Sequence, residues 1–150
     1  MKVVIQRVSE ATVSVESTVI AEIKTGILVL VGVEDADDEE DIDWLVSKIM
    51  NLRIFDDCNK IMNLSIKDID GEILVVSQFT LQASTKKGNR PSYIKASKPE
   101  IAIPIYKQFI KKLQLESTKK VQTGVFGADM KVKLINDGPV TILIDSKSKV

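Results

Sequence analysis

The sequence predicts an α+β fold: a strand-rich sheet or barrel carrying two helices. Val-rich stretches fill the first third of the chain and recur over residues 71–83 and 121–145. Two other segments, 35–55 and the region around 105–113, place apolar residues at three- and four-residue steps instead. No repeat, linker or low-complexity tract divides the 150 residues, so a single domain with a sizeable core is expected.

In order, KVVIQRV and ATVSVES read as strands, the second with Val13 and Val15 alternating with Ser14 and Glu16. STVIAEI follows closely enough to complete a hairpin. GILVLVGV is apolar on both faces, which predicts a central, fully covered strand, with Gly32 marking a close backbone approach. Ile42, Leu45, Ile49 and Leu52 then define one face of a helix, with the acidic cluster Asp37–Asp41 in its first turn, where the helix dipole favours negative charge. Adjacent helical carboxylates point in different directions, which argues against a metal site there. DDCNK is a turn, MNLSIKD reads as irregular, and Asp70-Gly71 signals a tight turn before the strand GEILVVSQFTLQA. A long polar loop, STKKGNRPSYIKASKPE, leads to a second helix with Ile105, Phe109 and Leu113 on one face, its regular part expected to begin at Pro104. The segment 121–145 reads as two strands around Asp137-Gly138-Pro139.

Composition narrows the function. Lysine plus arginine equals aspartate plus glutamate at 21 each, which excludes a globally basic nucleic-acid binder but not a local patch. The longest apolar run, Gly26–Val33, falls far short of the about 20 residues of a membrane helix, and the N-terminus lacks signal-peptide character. A lone cysteine, Cys58, in a turn-like setting reads as a bland thiol, and the cytoplasm is the expected compartment.

The chain has no histidine, so Ser-His-Asp and Cys-His mechanisms are excluded, and no familiar ligand set for a metal exists. No metal and no cofactor is expected. Four polar or glycine-rich spots remain. Ser77-Gln78-Phe79-Thr80 lies at the end of a buried strand, where freed N–H groups can form an oxyanion hole; the plainer reading is that Ser77 and Thr80 satisfy backbone groups. Asn136–Thr141 reads as a hairpin turn, or as a cis Gly138-Pro139 unit with its carbonyls turned outward. Lys86, Lys87 and Arg90 suit phosphate contacts or a solvated loop. Phe126 and Met130, beside Gly127 and Ala128, suit either stacking on a base or core packing.

Together these stretches resemble the D-aminoacyl-tRNA deacylase family of the Gly-cisPro type. The resemblance runs through IQRV at Ile5–Val8, LVLVGV, MNLS at Met62–Ser65, LVVSQFTL, KGNRPS, FGADM and NDGPVT, and covers essentially the whole chain. Departures are small: Tyr93 stands where many relatives carry Phe, and STKKVQTGVF is unusually lysine-rich.

The resemblance implies hydrolysis of the ester joining a D-amino acid, or a mischarged glycine, to the 3′-terminal adenosine of tRNA. It implies a β-barrel-like homodimer with active sites at the interface. Gly138-Pro139 would be cis, would reach into the partner's site, and would exclude L-side chains by steric clash. The ribose 2′-OH would assist the attacking water, with Ser77, Gln78, Phe79 and Thr80 forming the catalytic stretch and the N–H groups of Phe79 and Thr80 the oxyanion site. Phe126 and Met130 would hold the adenosine, and Lys86, Lys87 and Arg90 the acceptor-stem backbone. The rival readings are an esterase with Thr80 as nucleophile and a non-catalytic RNA-binding module on the same fold.

Overall fold

The structure, a computed structural model, describes residues 1–150. Eight strands and two helices follow in the order β1 (Lys2–Val15), β2 (Thr18–Ile23), β3 (Gly26–Gly32), α1 (Glu39–Asn51), β4 (Phe55–Asp56), β5 (Met62–Leu64), β6 (Glu72–Ser77), α2 (Pro99–Glu116), β7 (Gln122–Thr123) and β8 (Met130–Asp145). A short 3-10 turn, Phe79–Gln82, follows β6.

β1 organises the sheet. Along one edge it pairs antiparallel first with β3, over Lys2–Val8, and then with β2, over Ala11–Val15. Along its other edge it pairs with β8 over its whole length. β3 continues into parallel pairing with β6, and β6 with β7. One long strand thus serves two sheet directions, and the sheet curls into a nearly closed barrel.

Two apolar clusters fill the two faces. Ile27, Val29 and Val31 of β3 and Ile73 and Val75 of β6 pack against Ile42, Leu45 and Ile49 of α1 and Phe109 and Leu113 of α2. Leu28 of β3 and Leu74 and Val76 of β6 face the other way, onto Val13, Ala21 and Ile23. Both strands are covered on both sides, which accounts for their unbroken apolar runs.

The structure corrects four sequence expectations. α2 begins at Pro99, not Pro104. Pro99 occupies the first helical position, where its missing N–H costs nothing, and the exposed Pro104 forfeits a single bond one turn later. Met62–Leu64, within the stretch expected to be irregular, forms β5 and pairs with β4. The strand expected over residues 71–83 ends at Ser77. Asp137-Gly138-Pro139 is not a hairpin turn; the chain runs on in one direction through β8.

The acidic cluster divides by role. Asp38 is the N-cap of α1, accepting from the N–H groups of Glu40 and Asp41, while Asp41 accepts from the Asp38 N–H to complete a capping box. Asp37 precedes the helix, and its buried carboxylate meets the Met1 amino group and the Glu34 N–H. Burial pushes the Asp37 carboxyl up, the Met1 ammonium and the Glu34 N–H only partly offsetting it. For Asp41 burial also acts upward, but hydrogen bonds from Lys147, Ser146 and the Asp38 backbone outweigh it and hold the carboxyl at about 2.

A carboxyl lowered on folding contributes stability that is complete above its unfolded value of about 4 and lost as pH falls toward its folded value. For Asp41 the contribution is about 2 kcal/mol. Thermal unfolding followed from about pH 5 to about pH 2 is expected to show a steeper loss in the wild type than in Lys147→Met, which lacks the main lowering partner. Parallel curves would place the acid sensitivity elsewhere.

Candidate active site

β6 loses its partner where β3 ends: Val31 pairs with Ser77, and the Gln78 N–H still reaches the Val31 carbonyl at 2.7 Å. The chain then tightens into the 3-10 turn. The first N–H of that turn to bond backward is that of Leu81, to the Gln78 carbonyl at 3.2 Å. The N–H groups of Phe79 and Thr80 precede it and have no partner inside the turn, as the geometry of helix starts requires. Two adjacent free donors at a strand end are the makings of an oxyanion site.

The turn is held firmly. Buried Gln82 donates its amide to the Gly32 carbonyl at 3.1 Å. A Cβ on Gly32 would lie 2.9 Å from the Gln78 carbonyl oxygen and 3.0 Å from Leu81 Cβ, so this is the close approach that the glycine predicted. The Gln78 side-chain amide donates to Thr80 Oγ1. The Thr80 hydroxyl therefore faces a donor, and no carboxylate or amine is bonded to it.

Ser77, Gln78 and Phe79 line one wall of a cavity of about 590 Å³. Phe126 and Met130 line the same cavity, together with Tyr106 and Ala102 of α2. Phe126 packs edge-on against Tyr106 with centroids 5.5 Å apart. Burial pushes the Tyr106 phenol up to about 12, so it stays a neutral donor. Gly124 makes room for Met130: a Cβ there would lie 2.5 Å from the thioether sulfur. Asp129 is the one carboxylate on the cavity wall, highly exposed and paired with Lys131 at 3.0 Å.

The Gly138-Pro139 peptide is cis, and Gly138 has φ +131°. This segment does not line the cavity of its own chain. It bulges from β8 at the point where Gln6 pairs with Thr141 and Val8 with Asn136, so Asp137–Val140 stand opposite Arg7 alone. Arg7 grips the bulge from below: Nε donates to the Asp137 carbonyl at 2.9 Å and Nη1 to the Ile54 carbonyl at 2.7 Å. Gln6 Oε1 accepts from Asn136 Nδ2 at 2.8 Å and Thr141 Oγ1 at 2.6 Å, and Asn136 Oδ1 accepts from the Val140 N–H at 3.1 Å. IQRV and NDGPVT are thus two sides of one clamp. Arg7 and Gln6 were not singled out as site residues, although an arginine within a Val-rich strand was a usable signal.

Lys86, Lys87 and Arg90 are exposed on the loop between the 3-10 turn and α2, apart from the cavity wall. Bridges Ser84–Ser92 and Glu34–Ala96 fix the base of that loop.

Comparison with known proteins places the chain in a family. The chain is 72% identical over 149 residues to the D-aminoacyl-tRNA deacylase of Flavobacterium psychrophilum, and 65% identical over 149 residues to that of Flavobacterium johnsoniae, covering 99% of each chain in both cases. A solved structure titled c-Myc DNA Unwinding Element Binding Protein superposes with a TM-score of 0.92 at 41% identity, covering 97% of this chain and 98% of that one. A probable eukaryotic D-amino acid tRNA deacylase shares the fold, with a TM-score of 0.80 at 17% identity, covering 95% of this chain and 97% of that one. The family model for D-Tyr-tRNA(Tyr) deacylase matches residues 4–145, and the chain belongs to that family.

Proposed function

We propose that this chain removes D-amino acids from tRNA by hydrolysing the ester to the terminal adenosine, with the nucleoside seated in the cavity between Phe79 and Met130. Family membership supports the deacylase activity itself, a hydrolase reaction on D-aminoacyl-tRNA. The observation that carries the mechanism is a pair of adjacent N–H donors, Phe79 and Thr80, unbonded within their turn, the first of them lining a nucleoside-sized, mainly apolar cavity. Phe126 and Met130 flank the adenine ring, and Ser77 and Gln78 border the ester.

Water adds to the ester carbonyl, its proton passing by way of the ribose 2′-OH. The resulting oxyanion is held by the Phe79 and Thr80 N–H groups. Collapse breaks the bond to the ribose 3′ oxygen, which takes up a proton, releasing the free amino acid and tRNA. Gly138 and Pro139 act on the site of a second copy, in a homodimer joined at this face. Their exposure, their absence from their own chain's cavity, and the exposed Ile135 and Leu143 nearby on β8 support that arrangement. Their carbonyls take the α-amino group and their bulk excludes an L-side chain, so glycyl-tRNA, with no side chain, is also accepted. Lys86, Lys87 and Arg90 lie against the acceptor-stem phosphates. No helix is long and apolar enough to cross a membrane; a substrate made of charged tRNA supports the cytoplasm as the compartment.

The test is deacylation of matched D- and L-tyrosyl-tRNA by wild type and Thr80→Ala. Hydrolysis of the D form alone is expected, with the variant within about tenfold of wild type, because Thr80 Oγ1 accepts from Gln78 and has no base to deprotonate it. Equal hydrolysis of both forms would overturn the chiral reading. Total loss in a folded variant would make Thr80 an essential participant, though not by itself a nucleophile.

A further inference from the structure

The mouth of the cavity carries more recognition chemistry than one nucleoside uses. Phe79 and Tyr93 meet there edge to face, centroids 5.2 Å apart at 72°, yet remain 56% and 41% exposed. In a T-shaped pair one ring supports the other edge-on and leaves a face free. The segment from Ala83 to Pro99 holds Lys86, Lys87, Arg90, Lys95 and Lys98 and no acidic residue, in a protein of zero net charge. All five cations are exposed, and none forms an ion pair. Lys98 also lines the cavity, immediately before α2.

We propose that Tyr93 and Lys98 form a subsite for the unpaired nucleotide that precedes the terminal adenosine, its base stacking on Tyr93 and the phosphate that joins it to the adenosine held by Lys98. The inference rests on the reading that the cavity holds that adenosine. An aromatic platform beside an unpaired cation is the recurring arrangement for single-stranded nucleic acid, and it reads no sequence because every base has a face to stack. Continuing outward, Lys86, Lys87, Lys95 and Arg90 line the exit path of the strand. The enzyme on this view recognises a single-stranded 3′ end, and a free aminoacyl nucleoside is a poor substrate for want of the second contact.

Three D-tyrosyl esters separate the possibilities: of adenosine, of the trinucleotide CCA, and of tRNA. The wild type is expected to prefer the CCA ester over the adenosine ester by at least tenfold in kcat/KM. Tyr93→Ala is expected to reduce that preference about tenfold, through KM, since stacking contributes equally to ground and transition states. Tyr93→Phe is expected to keep it. Lys98→Gln is expected to flatten the salt dependence of kcat/KM for the CCA ester by a log–log slope of about 0.7. A fall in kcat on all three esters with Tyr93→Ala would reduce Tyr93 to a support for Phe79 and overturn the subsite. An unchanged preference would do the same. Failure of the wild type to hydrolyse any of the esters would instead overturn the deacylase reading.

Discussion

Gly138→Ala is expected to lower kcat/KM for D-tyrosyl-tRNA about a hundredfold while leaving the protein folded, since displacing a positioning group by about 1 Å costs that much. The backbone at Gly138 has φ +131°, which a residue with a Cβ rarely adopts. The added carbon would also lie 2.8 Å from Arg7 Nη2 and 2.9 Å from Val140 Cγ2. Arg7 cannot simply yield, because its Nη1 and Nε are committed to the carbonyls of Ile54 and Asp137. The bulge must move instead, by about the overlap, and with it the groups that the proposed mechanism has it present to substrate. The cost in stability is about 1–3 kcal/mol, since the strain is confined to one exposed segment. Arg7→Met removes the same grip from the other side and is expected to act in the same direction. D- and L-tyrosyl-tRNA deacylation, with thermal unfolding as control, reads all of this. An alanine variant with wild-type rate and wild-type selectivity would mean that the bulge does not touch substrate.

A tRNA ending in 2′-deoxyadenosine, charged with D-tyrosine on its 3′ hydroxyl, is expected to react roughly 10²–10⁴-fold more slowly, the range a positioned proton-transfer group contributes. The side chains beside the two oxyanion donors are the hydroxyl of Ser77, the amide of Gln78 and the hydroxyl of Thr80, none of them a base near neutral pH. Asp129 is the only carboxylate on the cavity wall, and its exposure and its pairing with Lys131 leave it well solvated. In the proposed mechanism the protein supplies no general base, and the substrate's own 2′-OH takes that part. Equal rates for the ribo and deoxy substrates would require a protein base, and Asp129→Asn alongside Asp35→Asn, whose carboxylate accepts from the cavity residue Ser97 at 2.7 Å, would then identify it.

Much of the candidate site was legible as short strings. SQFT stood out because two hydroxyls and an amide interrupt an apolar run, and the strand does end there. Gly32 within its apolar strand announced a close approach, and the Gln78 carbonyl is what approaches. Phe126 and Met130 were visible as an aromatic and a thioether among small residues, and they do face the same cavity as SQF. Other features misled. Asp137-Gly138-Pro139 has the composition of a reverse turn, yet the flanking segments both pair with β1, and a bulge keeps the chain going forward. Local residue preference describes the kink; the pairing partner decides whether the chain reverses. Pro104 was expected to start a helix that Pro99 starts, because either position suits a proline and only packing chooses between them.

By itself the sequence determined the fold class, the two helical segments, the covered central strands and the exclusion of histidine chemistry. These depend on local periodicity and on which functional groups are present at all. The tertiary structure decided which strings belong together. β1 is paired on both edges, so Gln6 and Arg7 reach across to β8 and clamp a segment some 130 residues away in the chain. Phe79 meets Tyr93, and Phe126 meets Tyr106, by the same kind of long-range closure. Side-chain direction depends on register and twist, which are properties of paired strands, and no single stretch of sequence encodes its partner's position.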